Sequence, residues 1–208
     1  MKQSDIFAHR AAIGALLDTR EGASLLERDL AHVASLQRLT VDWVPMWVDR
    51  DHAVRSDKLS ATAYRAITDD GVLLWYVCRD EKRVGYHSIA PTAVAAFADA
   101  AEKWARRREI KRNWDRLKRL RTDLILGRTS LTVTLDDAHA SGLCVLGIKG
   151  FMRRVGIAGR TQISGRLAAM LMFVEPQVGF AIHEAAVARG VFVRAAAGAG
   201  TRAASASV

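Results

Sequence analysis

Lysine and arginine crowd one stretch of this chain. From Lys103 to Arg128 there are eleven of them against three acids, Glu109, Asp115 and Asp123. That is a local charge of +8 in a protein of 208 residues whose whole net charge is +9. Guanidinium forks bind phosphate oxygens bidentately and lysine ammoniums add point charge, so a basic helix face can grip a polyanion. Its candidate contacts are Arg107, Arg108, Lys111, Arg112, Lys118 and Arg119. A solvated helix face is the competing meaning, with local pairs one turn apart such as Asp115 and Arg119. A balanced solvated face would carry more Glu, which favours the polyanion. An acidic protein surface is the third reading.

The segment GFMRRVGIAGRTQISGRL (150–167) adds Arg153, Arg154, Arg160 and Arg166 to this surface. It loosely resembles a helix-turn-helix, with a glycine at the turn and TQIS opening a second helix. The resemblance implies that Arg160, Thr161, Gln162 and Arg166 face a groove and supply any specificity. Met152 stands where the motif has a small residue, Gly159 lengthens the turn, and Gly165 weakens the second helix. An ordinary helical hairpin rich in Arg is the preferred reading.

Carboxylates and histidine gather at DWVPMWVDRDH (42–52), where Asp42, Asp49, Asp51 and His52 are the residue types that hold a divalent ion for phosphodiester hydrolysis. A polar turn is the plainer account. GLCVLGIKG (142–150) has glycines spaced vaguely like a phosphate loop, but lacks the terminal Lys-Ser/Thr, so packing glycines are expected. His9, His32, His87, His139 and His183 are isolated in sequence. Cys78 and Cys144 sit far apart in apolar runs and read as buried reduced thiols. No catalytic residue, metal site or cofactor is assigned.

The elements that must position these groups follow from periodicity. Residues 4–18 and 24–39 read as an N-terminal helical hairpin, with SLLE (24–27) as a capping box and Leu26, Leu30, Val33 and Leu36 at helical spacing. TVDWVPMWVD (40–49) reads as an edge strand or bulge because of Pro45, and 49–58 as a polar connection. ATAYRAIT, VLLWYVCR and VGYHSI, separated by DDG and DEKR, read as a three-stranded antiparallel meander. Its Tyr64, Trp75, Tyr76 and Tyr86 are expected mostly in the core.

After Pro91 a long helix runs to about 126. Ile110, Trp114, Leu117, Leu120 and Leu124 form one stripe in its second half. Phe97 and Trp104 are out of phase with that stripe across RRRE, so the helix either packs on two partners or breaks. SLTVTL (130–135) alternates as a strand. Residues 136–174 read as short helices, capped by Asp136 or Asp137 and cut at Gly142, Gly156 and Gly159. A last helix or strand lies in 177–194. The Ala/Gly/Ser-rich tail 195–208 reads as disordered.

The expected fold is thus α+β: helical hairpin, three-stranded meander, long basic helix, helical C-terminal part. Residues 1–194 read as one domain, with a possible subdivision near 128. Apolar runs are too short to span a bilayer and no signal core opens the chain, so a cytoplasmic location without membrane partner is expected. The expected function is that of a non-enzymatic nucleic-acid-binding protein of the bacterial type, taking DNA or RNA. The alternatives are an adaptor or inhibitor docking an acidic protein, and a metal-dependent nuclease using residues 42–52. Composition does not reveal the oligomeric state.

Overall fold

The computed structural model describes residues 36–80 and 85–192. Its first half is a five-stranded antiparallel sheet in sequential order: β1 (Leu36–Val41), β2 (Val44–Ser56), β3 (Ala61–Thr68), β4 (Leu73–Arg79) and β5 (Gly85–Ser88). This overturns the three-stranded meander, because β1 and β2 extend the sheet by two strands. The expected helix over 24–39 gives way at Leu36 to β1. The rest of the expected N-terminal hairpin, the turn residues 81–84 and the tail from 193 lie outside the described residues.

β1 and β2 were hidden by their turn. Val41 pairs with Val44, so Asp42 and Trp43 form a two-residue loop, with φ of 45° and 68°. Positive φ at both positions is type I′ geometry, which usually announces itself as Asn-Gly. Asp-Trp carries no such signal. Pro45 is tolerated because pairing of β2 with β3 begins only at Met46, leaving no ladder bond for its missing N–H. The register then breaks between Val48 and Ala53, so the expected polar connection 49–58 is largely a bulged continuation of β2.

α1 (Ala93–Lys111) starts where Thr92 Oγ1 accepts a hydrogen bond from the Ala95 amide. It lies across one sheet face. Ala63, Val77 and Tyr86 form a paired row on that face and, with Ala61, meet Ala93, Ala96, Phe97, Ala100 and Trp104 of the helix. The opposite face buries Met46, Val48, Ala66, Leu74 and Tyr76. The long basic helix is corrected to two helices. α1 ends at Lys111, and α2 (Trp114–Ile125) starts after Asn113. Arg107 explains the phase change. It is buried between Trp104 and Ile110, so the inward stripe rotates continuously through a residue the sequence marks as polar.

The remaining chain forms a helical layer with a small ribbon: β6 (Thr132–Thr134), α3 (Leu135–Ala140), α4 (Val145–Arg154), β7 (Gln162–Ser164), α5 (Gly165–Leu171) and α6 (Val178–Ala188). Leu117, Leu120 and Leu124 of α2 pack with Ala168, Met172, Ile182 and Ala185 in its core. Thr134, not Asp136 or Asp137, caps α3. Asp137 completes a capping box, its Oδ2 accepting from the Thr134 amide at 2.7 Å. TQIS is not the first turn of a helix: Gln162–Ser164 pair with Thr132–Thr134, and Ser164 then caps the helix that begins at Gly165. Between sheet and helical layer, Arg106 of α1 donates two hydrogen bonds from Nη2 to the Glu184 carboxylate of α6, at 2.6 and 2.7 Å. No helix among the described residues is long and apolar enough to cross a membrane.

Candidate functional site

Where the β1–β2 turn meets the helical layer there is a cavity of about 110 Å³. The turn is seated on two glycines of α4. A Cβ on Gly150 would stand 2.3 Å from the Trp43 carbonyl oxygen, and one on Gly147 3.0 Å from that of Asp42. So GLCVLGIKG is a docking face for backbone. Trp43 Nε1 donates to Glu175 Oε2 at 2.9 Å, and its ring meets Phe151 edge-on. Gln177 Nε2 donates to Asp42 Oδ1 at 3.2 Å. These contacts hold two non-glycine residues in a left-handed backbone, which costs on the order of 1–3 kcal/mol for each.

The cavity wall is mainly apolar, with Ile148, Phe151 and Ile163 among its residues, while Asp42, Arg107, Cys144, Glu175 and Gln177 bring polar groups to it. Arg107 is 8% exposed, and its Nε is buried without a hydrogen-bond partner. Burial is the largest influence on it and lowers its pKa, against the opposing pull of Asp42. Burial likewise raises the pKa of Asp42, outweighing the hydrogen bond from Gln177 and the nearby Arg107 charge.

Beside the cavity the fold unites two groups that the sequence leaves 57 residues apart: His87 Nδ1 lies 3.2 Å from Cys144 Sγ. Cys144 caps α4, its sulfur accepting from the Gly147 amide. Burial, and next the positive charge of Arg107, push the His87 pKa down to about 4. Burial pushes the Cys144 thiol up, so both groups are neutral near pH 7. The pair is hydrogen-bonded but is not an activated thiolate–imidazolium, because the thiolate is the nucleophilic form.

The ten basic residues expected at a polyanion separate by environment. Arg107 turns inward to the cavity. Lys118 pairs with Asp115 at 3.1 Å and Arg153 approaches Asp70 at 3.9 Å. Arg108, Lys111, Arg112, Arg119, Arg154, Arg160 and Arg166 are exposed and have no ion pair among the described residues. Arg160 also lines the cavity.

The carboxylates of 42–52 do not act as one cluster. Asp49 is buried, with Oδ2 3.0 Å from His52 Nδ1 and Oδ1 accepting from the Asp51 amide. Asp42 belongs to the turn and to Gln177. Among the described residues no group of His, Cys, Asp and Glu is arranged to hold a metal ion. Tyr76 and Tyr86 are core residues; Tyr64 and Trp75 are half-buried, under Arg50 and Arg65. No protein-family model, no curated protein and no solved structure matches this chain.

Proposed function

We propose that this protein binds nucleic acid through its basic surface, holding the phosphate backbone without catalysing a reaction on it. The observation that carries this reading is the set of exposed, unpaired cations at the α1–α2 junction and beyond it. Arg108, Lys111 and Arg112 fall at i, i+3 and i+4, on one helix face turned to solvent, and Arg119 follows on α2. Carboxylates in the same stretch are spent elsewhere: Glu109 on Arg106, Asp115 on Lys118, Asp123 on Arg128. Unpaired guanidiniums on rigid helices release counterions when they meet phosphates.

Binding to labelled single- and double-stranded DNA and RNA, titrated with salt, tests this. If six phosphates of duplex DNA are contacted, log K falls with log salt at a slope of about −5. The double substitution Arg112→Glu with Arg119→Glu abolishes binding and leaves the fold intact, since both side chains are solvent-exposed. Unchanged affinity in that variant would overturn the proposal.

A second reading has its own observation. Met170, Phe173 and Val174 at the end of α5 are 52%, 67% and 58% exposed, and the Arg121 guanidinium lies over Phe173. Apolar residues beside cations suit an acidic protein surface with an apolar centre. A stoichiometric protein complex lost on Phe173→Asp, together with absent nucleic-acid binding, would establish this reading instead.

A further inference from the structure

The cavity touches the basic surface only at Arg160, and it contains a buried arginine that no ion pair neutralises. Arg107 is 8% exposed, its Nε has no partner, and no carboxylate among the described residues lies within ion-pair distance of it. Taking a cation out of water is costly unless a counter-charge and hydrogen bonds replace the lost solvation. Methionine in this place would continue the apolar stripe of Trp104 and Ile110. Gly142 lets the chain close tightly here, since a Cβ on it would stand 2.7 Å from the Lys103 carbonyl oxygen and 3.4 Å from Arg107 Cγ. Arg107 lines the cavity from this tight junction.

The ligand's chemistry follows from the rest of the wall. An anionic head is called for by Arg107, whose planar fork matches a carboxylate. Asp42 and Glu175 stand on the same wall and offset Arg107 and Arg160, leaving no net positive charge to hold a dianion. Both carboxylates already accept hydrogen bonds, from Gln177 and Trp43 respectively. Ile148, Phe151 and Ile163 offer an apolar surface for a body. The volume of about 110 Å³ is below the roughly 150 Å³ of a cavity that takes benzene. A short branched body fits that space.

We propose that this cavity is a binding site for a small aliphatic monocarboxylate, with its carboxylate on Arg107 and its apolar body against Ile148, Phe151 and Ile163. The site shares only Arg160 with the basic surface, and the carboxylate proposal does not rest on the nucleic-acid reading.

Isothermal titration of the full chain with isovalerate, isovaleramide and inorganic phosphate tests it, alongside Arg107→Met and Ile148→Trp. Isovalerate is expected to bind the wild type at least tenfold more tightly than the neutral amide or phosphate. Arg107→Met is expected to lose that binding and to melt at a higher temperature than the wild type. Ile148→Trp, which fills the cavity, is expected to lose binding with Arg107 still present. Absence of isovalerate binding to the wild type overturns the proposal, whatever the variants do. So does equal binding of acid and amide, or a preference for phosphate. If Arg107→Met does not fold, the wild-type ligand series and Ile148→Trp still decide the matter.

Discussion

Asp42 and His87 are both ionisable groups that the fold keeps from being comfortably charged, and their effects run in opposite directions with pH. The pKa of Asp42 is raised by burial, so the unfolded chain releases this proton more readily than the folded one. Stability associated with Asp42 is therefore highest below the ordinary aspartate value near 3.8 and falls as pH rises above it. Asp42→Asn removes the charge, keeps an acceptor for Gln177 and tolerates the left-handed backbone. It should raise the melting temperature at neutral pH, with a gain that shrinks toward pH 4. A melt series showing a loss at pH 7 would contradict this. For His87 the folded pKa of about 4 lies below the unfolded value near 6.5. Above both values the residue contributes nothing; as pH falls from 6.5 to 4 the unfolded state takes up the proton first, and stability drops. Full expression of that shift is worth roughly 3 kcal/mol. Denaturant titrations should show this acid slope in the wild type and a flatter one in His87→Gln.

At the scale of elements, the β1–β2 turn is held in its strained geometry by contacts from elsewhere in the chain. Its two positive-φ residues are balanced by the Trp43–Glu175 hydrogen bond, the Trp43–Phe151 ring contact and the close seat on α4. Gly150→Ala puts a methyl group where the Trp43 carbonyl already is. Overpacking of this kind costs on the order of 1–3 kcal/mol. The substitution should lower stability by about that much and shift tryptophan emission to the red, while Gly156→Ala, where nothing lies near, should leave the tryptophan signal unmoved. A second joint is the Arg106–Glu184 pair between α1 and α6. The Glu184 and Arg106 side chains are 7% and 19% exposed, so Glu184→Ala takes the buried partner from a part-buried guanidinium. Breaking such a pair costs about 3–5 kcal/mol, and retention of Glu109 as a partner for Arg106 places the expected loss at the low end.

For the whole molecule, two of the three hydrophobic cores among the described residues meet at the cavity. The sheet with α1 forms one, the α2, α5 and α6 helices with the β6–β7 ribbon the other, and the turn at 42–43 plugs the seam between them. Some cations of this body are tied to carboxylates, while others, Arg108, Lys111, Arg112 and Arg119 among them, are exposed without an ion pair. Exposed ion pairs contribute little to stability, about 0–1 kcal/mol each. Raising salt should therefore weaken the proposed nucleic-acid binding steeply while the melting temperature barely moves. A melting temperature that fell in parallel with affinity would mean that the basic surface holds the fold together.

Local chemistry was enough to read several elements of this protein. Period-two runs and Asp-Gly marked β3 to β5, Thr92 after Pro91 marked the start of α1, and the spacing of Leu117, Leu120 and Leu124 marked the buried face of α2. These signals are legible because each depends on neighbours a few residues away. Tertiary structure alone decided the rest. A turn made of Asp and Trp has no local preference for positive φ; α4 and Glu175, more than 100 residues downstream, hold it there. Gln162–Ser164 has helix-opening residues but becomes a strand because β6 offers it a partner. Arg107 reads as one more surface cation, since sequence reports its charge and not the direction in which a helix turns it. The same is true of His87 and Cys144, whose meeting requires β5 and the start of α4 to be packed together. Charge and periodicity are properties of the chain, whereas burial, pairing and the cavity arise only when distant segments exclude water from one another.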